Sequence, residues 1–355
     1  MRIFRVLLFL GMGLTMSAQQ ENYELVWADE FNGNGAIDAT KWYHQTQLPN
    51  GDSWYNGEIQ HYTNRTENSF VSEGTLKIVA KSENFTDQGV TKTHTSARLN
   101  SKYAFTYGYV EIRAKLPIGI GTWPAMWTLG QNIIETGGYW SDTMGTVSWP
   151  ACGEIDIMEH WGDNQNFVQS AMHTPSSFGD TQNKGGQVIP TVSSAFHIYS
   201  LEWTPEQMVF KVDGVEHYTY NPSNQNAATW PFDAPQYFLL NVAILPNISD
   251  AFDESALEID YIRVFQDPTL SVEEVTVANG IQLFPNPAIN TLSVRVPAAF
   301  VGAKARMYSL TGQELYNADI QNENTTIDVS GFAKGLYILT IEKEGESVTR
   351  KVVKQ

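Results

Sequence analysis

Cysteine occurs once in the 355 residues, at Cys152, so the chain can form no internal disulfide. Far from the N-terminus, Cys152 is no lipidation site; it reads either as a small buried residue or as a nucleophile beside Glu154. No histidine-rich or cysteine-rich metal cluster is present. Basic residues are also short: 22 Lys and Arg stand against 39 Asp and Glu, a formal net charge of −17. Such a balance excludes a nucleic-acid backbone or an anionic membrane as a favoured partner and suits an uncharged substrate. Long apolar runs are missing too. The run from Val6 to Leu14 is too short to span a bilayer, and nothing later resembles a span. Preceded by Arg2 and Arg5 and followed by Thr15-Met16-Ser17-Ala18, it predicts a secretory signal over residues 1–18, although Met16 is larger than the small residue preferred there. Tryptophan is absent after Trp230, and no stretch has sustained helical periodicity.

What is there alternates. Thr75–Ala80, Gly108–Lys115, Phe196–Trp203, Gln207–Val212, Tyr237–Val242 and Leu257–Phe265 read as strands, with turns at Glu73-Gly74 and Asp213-Gly214. These describe a large antiparallel β-sandwich. The stretch 268–280 is short of large side chains and reads as a linker. Residues 281–355 read as a second, smaller all-β unit with a clear strand at Gly335–Ile341. The expected organisation is therefore a signal peptide (1–18), a large β-domain (19–267), a linker (268–280) and a C-terminal domain (281–355).

Glu154-Ile155-Asp156-Ile157-Met158-Glu159 carries the chemistry. On a strand, Glu154 and Asp156 share one face and the isoleucines the other, which leaves Glu159 pointing inward. One extra residue near Ile157-Met158, a β-bulge, returns Glu159 to the face of the other acids. Three carboxylates on one face repel and raise each other's pKa, a costly arrangement whose natural purpose is acid/base and nucleophilic chemistry on a neutral substrate. Carboxyl pairs about 5–5.5 Å apart serve retaining glycosidases and pairs about 6.5–9.5 Å apart inverting ones. Spacing along the chain does not choose between these.

Six stretches occurring in order across residues 22–267 resemble glycoside hydrolase family 16, in particular its bacterial endo-β-1,3-glucanases or laminarinases. They are Trp27–Gly33, Ser96–Arg98, Tyr107–Arg113, Gly121–Trp127, Trp149–Glu159 and Ile259–Val264. The resemblance implies an all-β, curved β-jelly-roll (concanavalin A-like) catalytic domain with the substrate cleft on a concave sheet. It also implies a retaining mechanism, with Glu154 as nucleophile, Glu159 as acid/base and Asp156 tuning the nucleophile. Trp123, Trp127 and Trp149 match cleft tryptophans, and His173 a histidine near the cleavage point. Asn56, Arg98, Glu111, Arg113 and Asn241 match positions that bind sugar or brace the acids. For Glu111 and Arg113 the alternative is that they pair with each other. Catalysis needs no cofactor on this reading. A structural calcium is implied at Glu30, Gly74 and Asp260, where oxygen donors suit a hard cation.

Phe284–Pro287, Val329–Tyr337 and the basic tail resemble the C-terminal sorting domain of the type IX secretion system. That implies passage through the periplasm and outer membrane, a secreted or cell-surface protein, and the secretion machinery as a partner. The alternative is a carbohydrate-binding module, against which the missing tryptophan argues. The expected substrate is β-1,3-glucan (laminarin), with mixed-linkage β-1,3-1,4-glucan left open because residues 243–250 depart from the family pattern. The insert from Gln131 to Ser148 is expected to wall or lengthen the cleft. Hydrolysis of an algal galactan (agar or carrageenan) and non-catalytic glucan binding are the alternatives. No nucleic acid, no membrane span and a monomer complete the expectation.

Overall fold

A computed structural model describes residues 23–267 and 281–354, apart from Asn50, Pro285, Pro287, Leu310, Thr311, Glu344 and Gly345. The expected signal peptide and linker lie outside the described residues. The chain divides into two compact units, one ending at Gln266 and one beginning at Asp267.

The first unit consists of two antiparallel sheets. One has seven strands in the order Lys184–Val188, Phe167–His173, Glu154–His160, Thr122–Gly130, Gln236–Ile244, Arg98–Phe105 and Trp42–His44. The other has ten, with Gly108–Lys115 and Glu254–Gln266 at its centre. All six strands expected from alternation are present: Thr75–Asp87, Gln236–Ile244 and Glu254–Gln266 run longer than their apolar pattern, and the other three match it to within one residue. The hairpin turns follow from their residues: Asp213-Gly214 and Glu73-Gly74 both take positive φ at the two central positions, the two-residue geometry that matches strand twist. Among the described residues the only α-helix is the single turn Ser141–Met144.

Alternation also builds the core. Val110, Ile112 and Ala114 from one sheet and Ile155, Ile157, Phe238, Leu240 and Val242 from the other are buried together. Each sheet therefore has one face inside and one free, and the position of a strand in a sheet decides what its polar residues meet.

The second unit has a three-stranded and a four-stranded antiparallel sheet around its own core, including Leu292, Met307, Leu339 and Val352. Within it, Asn286 donates to the Lys351 carbonyl and accepts from the Val353 amide, tying Asn286 to the last strand.

Candidate active site

The acid strand enters its sheet through Gly153 at φ +75, where an added Cβ would lie 2.7 Å from the Phe232 ring. Glycine is required there twice over, by the backbone and by the ring. Glu154 and Asp156 then pair with His173 and Ala171 on one side and with Leu129 and Trp127 on the other. Between Asp156 and Glu159 the register slips by one residue against both neighbours. This is the expected bulge, and Ile157 has a partner in neither register. Glu159 thereby joins a row of cross-strand neighbours: Gln169, Glu159, Ala125, Asn241 and Arg98. Ile157 and Met158 both stay in the core.

The three acids open into a cleft of about 760 Å³. Asn56, Arg98, Trp123, Trp127, Trp149, His173 and Asn241 line it with them. Each outer acid carries an indole donor. Trp149 Nε1 donates to Glu154 Oε2 at 2.6 Å, and Trp123 Nε1 to Glu159 Oε1 at 3.1 Å. Gln169 Nε2 reaches Glu159 Oε2 at 3.4 Å. His173 Nε2 lies 3.1 Å from Asp156 Oδ2 and 3.7 Å from Glu154 Oε1. The Gly179 amide donates to His173 Nδ1, which leaves the ring proton on Nε2, the nitrogen nearer the two acids.

Burial pushes the carboxyls of Glu154, Asp156 and Glu159 up to about 8. For Glu154 and Glu159 repulsion by Asp156 comes next, with His173 pulling the other way. The three share protons as one set, in which full ionisation is resisted.

Beyond the acids, the wall is a braced aromatic surface. Trp127 Nε1 donates to Asn241 Oδ1, Asn241 Nδ2 to the Tyr62 hydroxyl, and that hydroxyl to Glu58 Oε2. The Arg98 guanidinium lies 4.8 Å from the Trp127 ring centre and is paired with Glu135 at 2.6 Å, both side chains about 5% exposed or less. Arg98 thus holds the wall with its charge already committed. Trp161 stacks on Trp123 at 5.6 Å.

Two expected site residues lie elsewhere. Glu111 and Arg113 are on Gly108–Lys115, in the ten-stranded sheet, and do not line the cleft. Val110, Ile112 and Ala114 of that strand occupy the core, so Glu111 and Arg113 face away from it, on the outer side. Nor do they pair with each other: Tyr109 donates to Glu111, and Arg113 bonds Asp260. Their assignment as sugar contacts is corrected accordingly. Asp260 and Glu30 are likewise occupied, by Arg113 and, bidentately, by Arg263. Their side chains as placed are not a calcium donor set; main-chain oxygens of Glu30 and Gly74 would remain as donors.

Several lining residues carried no expectation. Trp161 could have been found, since period-two alternation from Glu159 leads directly to it. Tyr55, Glu58 and Gln169 carry no local signal of their own, and Glu135 is not singled out within the insert expected at the wall. The insert contributes Ile133, Ile134 and Glu135 to the wall, whereas Trp140 packs below and donates to the Ser101 carbonyl. Of residues 243–250 only Ala243 reaches the cleft. Cys152 is buried and burial pushes its thiol up to about 12, which leaves it inert.

Residues 56–263 match the model of glycosyl hydrolases family 16. The chain belongs to this family. It is 36% identical over 271 residues to a β-glucanase of Rhodothermus marinus, covering 72% of this chain and 89% of that protein. Among solved structures it resembles a LamA variant from Z. galactanivorans in complex with laminaritriose and laminaritetraose, at 47% identity and a TM-score of 0.63, over 68% of this chain and 98% of that one. A laminarinase from Flavobacterium is 39% identical with a TM-score of 0.60, over 68% of this chain and all of that one. Such family 16 relatives share the jelly roll seen here. Residues 282–355 match a secretion system C-terminal sorting domain. The second unit is therefore a type IX sorting domain and not a sugar-binding module, and the family 16 enzyme is exported to the cell surface or the exterior. No helix among the described residues is long and apolar enough to cross a membrane.

Proposed function

We propose that this protein is an endo-1,3-β-glucanase that cleaves laminarin-type β-1,3-glucan by double displacement with retention. The observation that carries the reading is the single row of acids in an aromatic cleft, Asp156 and Glu159 buried and Glu154 partly so. Glu154 and Glu159 are each oriented by an indole N–H, and Asp156 lies between them. Sugar rings offer apolar C–H faces to such aromatic walls, and their hydroxyls meet the polar rim.

Glu154 attacks the anomeric carbon while the glycosidic C–O bond breaks and Glu159 passes its proton to the leaving oxygen. Trp149 binds one oxygen of Glu154 and leaves the other to react. The resulting ester removes the charge of Glu154, which lowers the proton affinity of Glu159. Glu159 then takes a proton from water, the water oxygen attacks the anomeric carbon, and Glu154 leaves as the carboxylate. A sugar hydroxyl in place of water gives transglycosylation. His173 N–H steadies Asp156 and Glu154. No step calls for a cofactor.

The deciding experiment follows cleavage of laminarin, mixed-linkage β-glucan, agarose and carrageenan, with the anomer of the first product read by proton NMR. Short laminarin oligosaccharides released as the β-anomer support the reading. An α-anomer first product overturns retention, and activity on a galactan alone overturns the substrate. Binding without cleavage makes the protein a glucan-binding one.

The remaining assignments belong to the same proposal. Residues 1–18 are removed on export, 19–267 form the catalytic domain, 268–280 link it to the sorting domain 281–355, and the enzyme is a monomer. Intact mass of the exported protein and its sedimentation check these. A calcium at Glu30, Gly74 and Asp260 requires Asp260 to leave Arg113 for the ion. A melting midpoint that chelator does not move removes calcium from the proposal.

A further inference from the structure

Opposite the bulge is a hydrogen-bonded chain that crosses between the two sheets. Ser170 stands on Phe167–His173 between the partners of Asp156 and Glu159, directly across from the unpaired Ile157. Its hydroxyl donates to the Ile157 carbonyl at 2.7 Å. His217, from Val215–Tyr220 of the other sheet, approaches Ser170 Oγ through Nε2 at 2.9 Å, and Gln187 Nε2 approaches His217 Nδ1 at 3.4 Å. One arrangement of protons satisfies all three contacts. The Gln187 amide donates to Nδ1, Nε2–H donates to Ser170, and Ser170 donates to the carbonyl. Burial holds the His217 imidazole well below its usual range, at about 4, so Nδ1 stays an acceptor. Room for the histidine comes from Gly185, the register partner of Ser170. A Cβ there would lie 2.8 Å from Tyr218 Cβ and 2.9 Å from the His217 carbonyl.

A bulge gives a strand slack, and slack at Ile157–Met158 moves Glu159. We propose that Ser170, set by His217 and Gln187, is a positioning residue for the general acid: it pins the bulge carbonyl and so fixes the reach of the Glu159 carboxyl into the cleft. None of the three touches substrate. The inference rests on the assignment of Glu159 as acid/base.

The test compares a laminari-oligosaccharide, whose alcohol leaving group needs a proton, with its dinitrophenyl glycoside, whose leaving group does not. Glu159→Gln is the reference. Ser170→Ala is expected to lower kcat on the oligosaccharide by about tenfold to a hundredfold, with little change in KM. Its loss of kcat/KM on the dinitrophenyl substrate, which reports only formation of the glycosyl-enzyme, is expected to stay below about threefold, whereas kcat there falls with the base step that Glu159 also performs. His217→Ala should follow it, and His217→Gln, which keeps an N–H in reach of Ser170, should recover most of the loss. Equal losses of kcat/KM on both substrates, an unchanged kcat on the oligosaccharide, or no recovery by glutamine overturns the proposal. If Ser170→Ala does not fold, the two His217 variants decide. A Glu159→Gln enzyme indifferent to the leaving group overturns the acid assignment and the positioning role together. Sensitivity in Glu159→Gln but not in the Ser170 and His217 variants overturns the positioning role alone.

Discussion

The two sheets of the catalytic unit treat charge in opposite ways. On the outer face of the ten-stranded sheet, acids and bases are interleaved: Lys77 and Lys115 both reach Glu258, Arg113 meets Asp260 and Arg263 meets Glu30. These pairs are partly exposed and screened by water, so each is worth at most about 1 kcal/mol. The cleft face of the seven-stranded sheet has three acids side by side and one nearby guanidinium, Arg98, whose charge is answered by Glu135 instead. The outer face arranges its charges to be harmless. The cleft face leaves like charges together and buried, which is costly to stability and is what acid/base chemistry needs.

The largest expected break in this contrast is Glu154→Ser. It should lower kcat on laminarin by about 10⁴-fold or more while the protein still binds the oligosaccharide, measured by reducing-sugar release beside calorimetric binding. Next comes the buried pair. Glu135→Ala leaves Arg98 buried without its partner and should cost about 3–5 kcal/mol in denaturant unfolding. It should also raise KM, because the Trp127 wall loses its brace.

A smaller effect has the opposite sign. The raised carboxyls bind more protons in the folded than in the unfolded chain between their ordinary range near 4 and about 8, so they cost stability as pH rises through that window. Glu159→Gln should therefore raise Tm at pH 8, by about 2–4 °C for each ~1 kcal/mol relieved, and change it little at pH 4. A melt across that window reads both ends. Smallest of all is Arg113→Ala on the outer face, which should cost under about 1 kcal/mol and leave kcat/KM on laminarin unchanged. A large activity loss there would return Arg113 to the substrate site.

The same contrast explains what could be read without coordinates. Period-two alternation in Gly108–Lys115 and Glu154–Glu159 read both as strands, and the inward turn of Glu159 required a bulge near Ile157–Met158, where the register indeed slips. The family motifs carried the jelly roll. Trp161 was within reach of that alternation. Glu58 and Gln169 were not, because each enters the cleft from a stretch whose own pattern is silent, and Glu135 lies in the insert expected at the wall, where nothing local singles it out. Glu135 meets Arg98 across 37 residues of chain.

By itself, then, the sequence determined the all-β class, the division of each strand into an apolar and a polar face, and the acids that would share a face. Those follow from local backbone geometry and the two-residue repeat of side-chain direction. Only the tertiary structure decided which polar faces line a cleft and which meet water. Glu111 and Arg113 alternate as regularly as Glu154 and Asp156, yet their strand pairs into the other sheet. Long-range strand pairing sets that outcome, because alternation separates two faces of a strand but carries no information about what either face will meet.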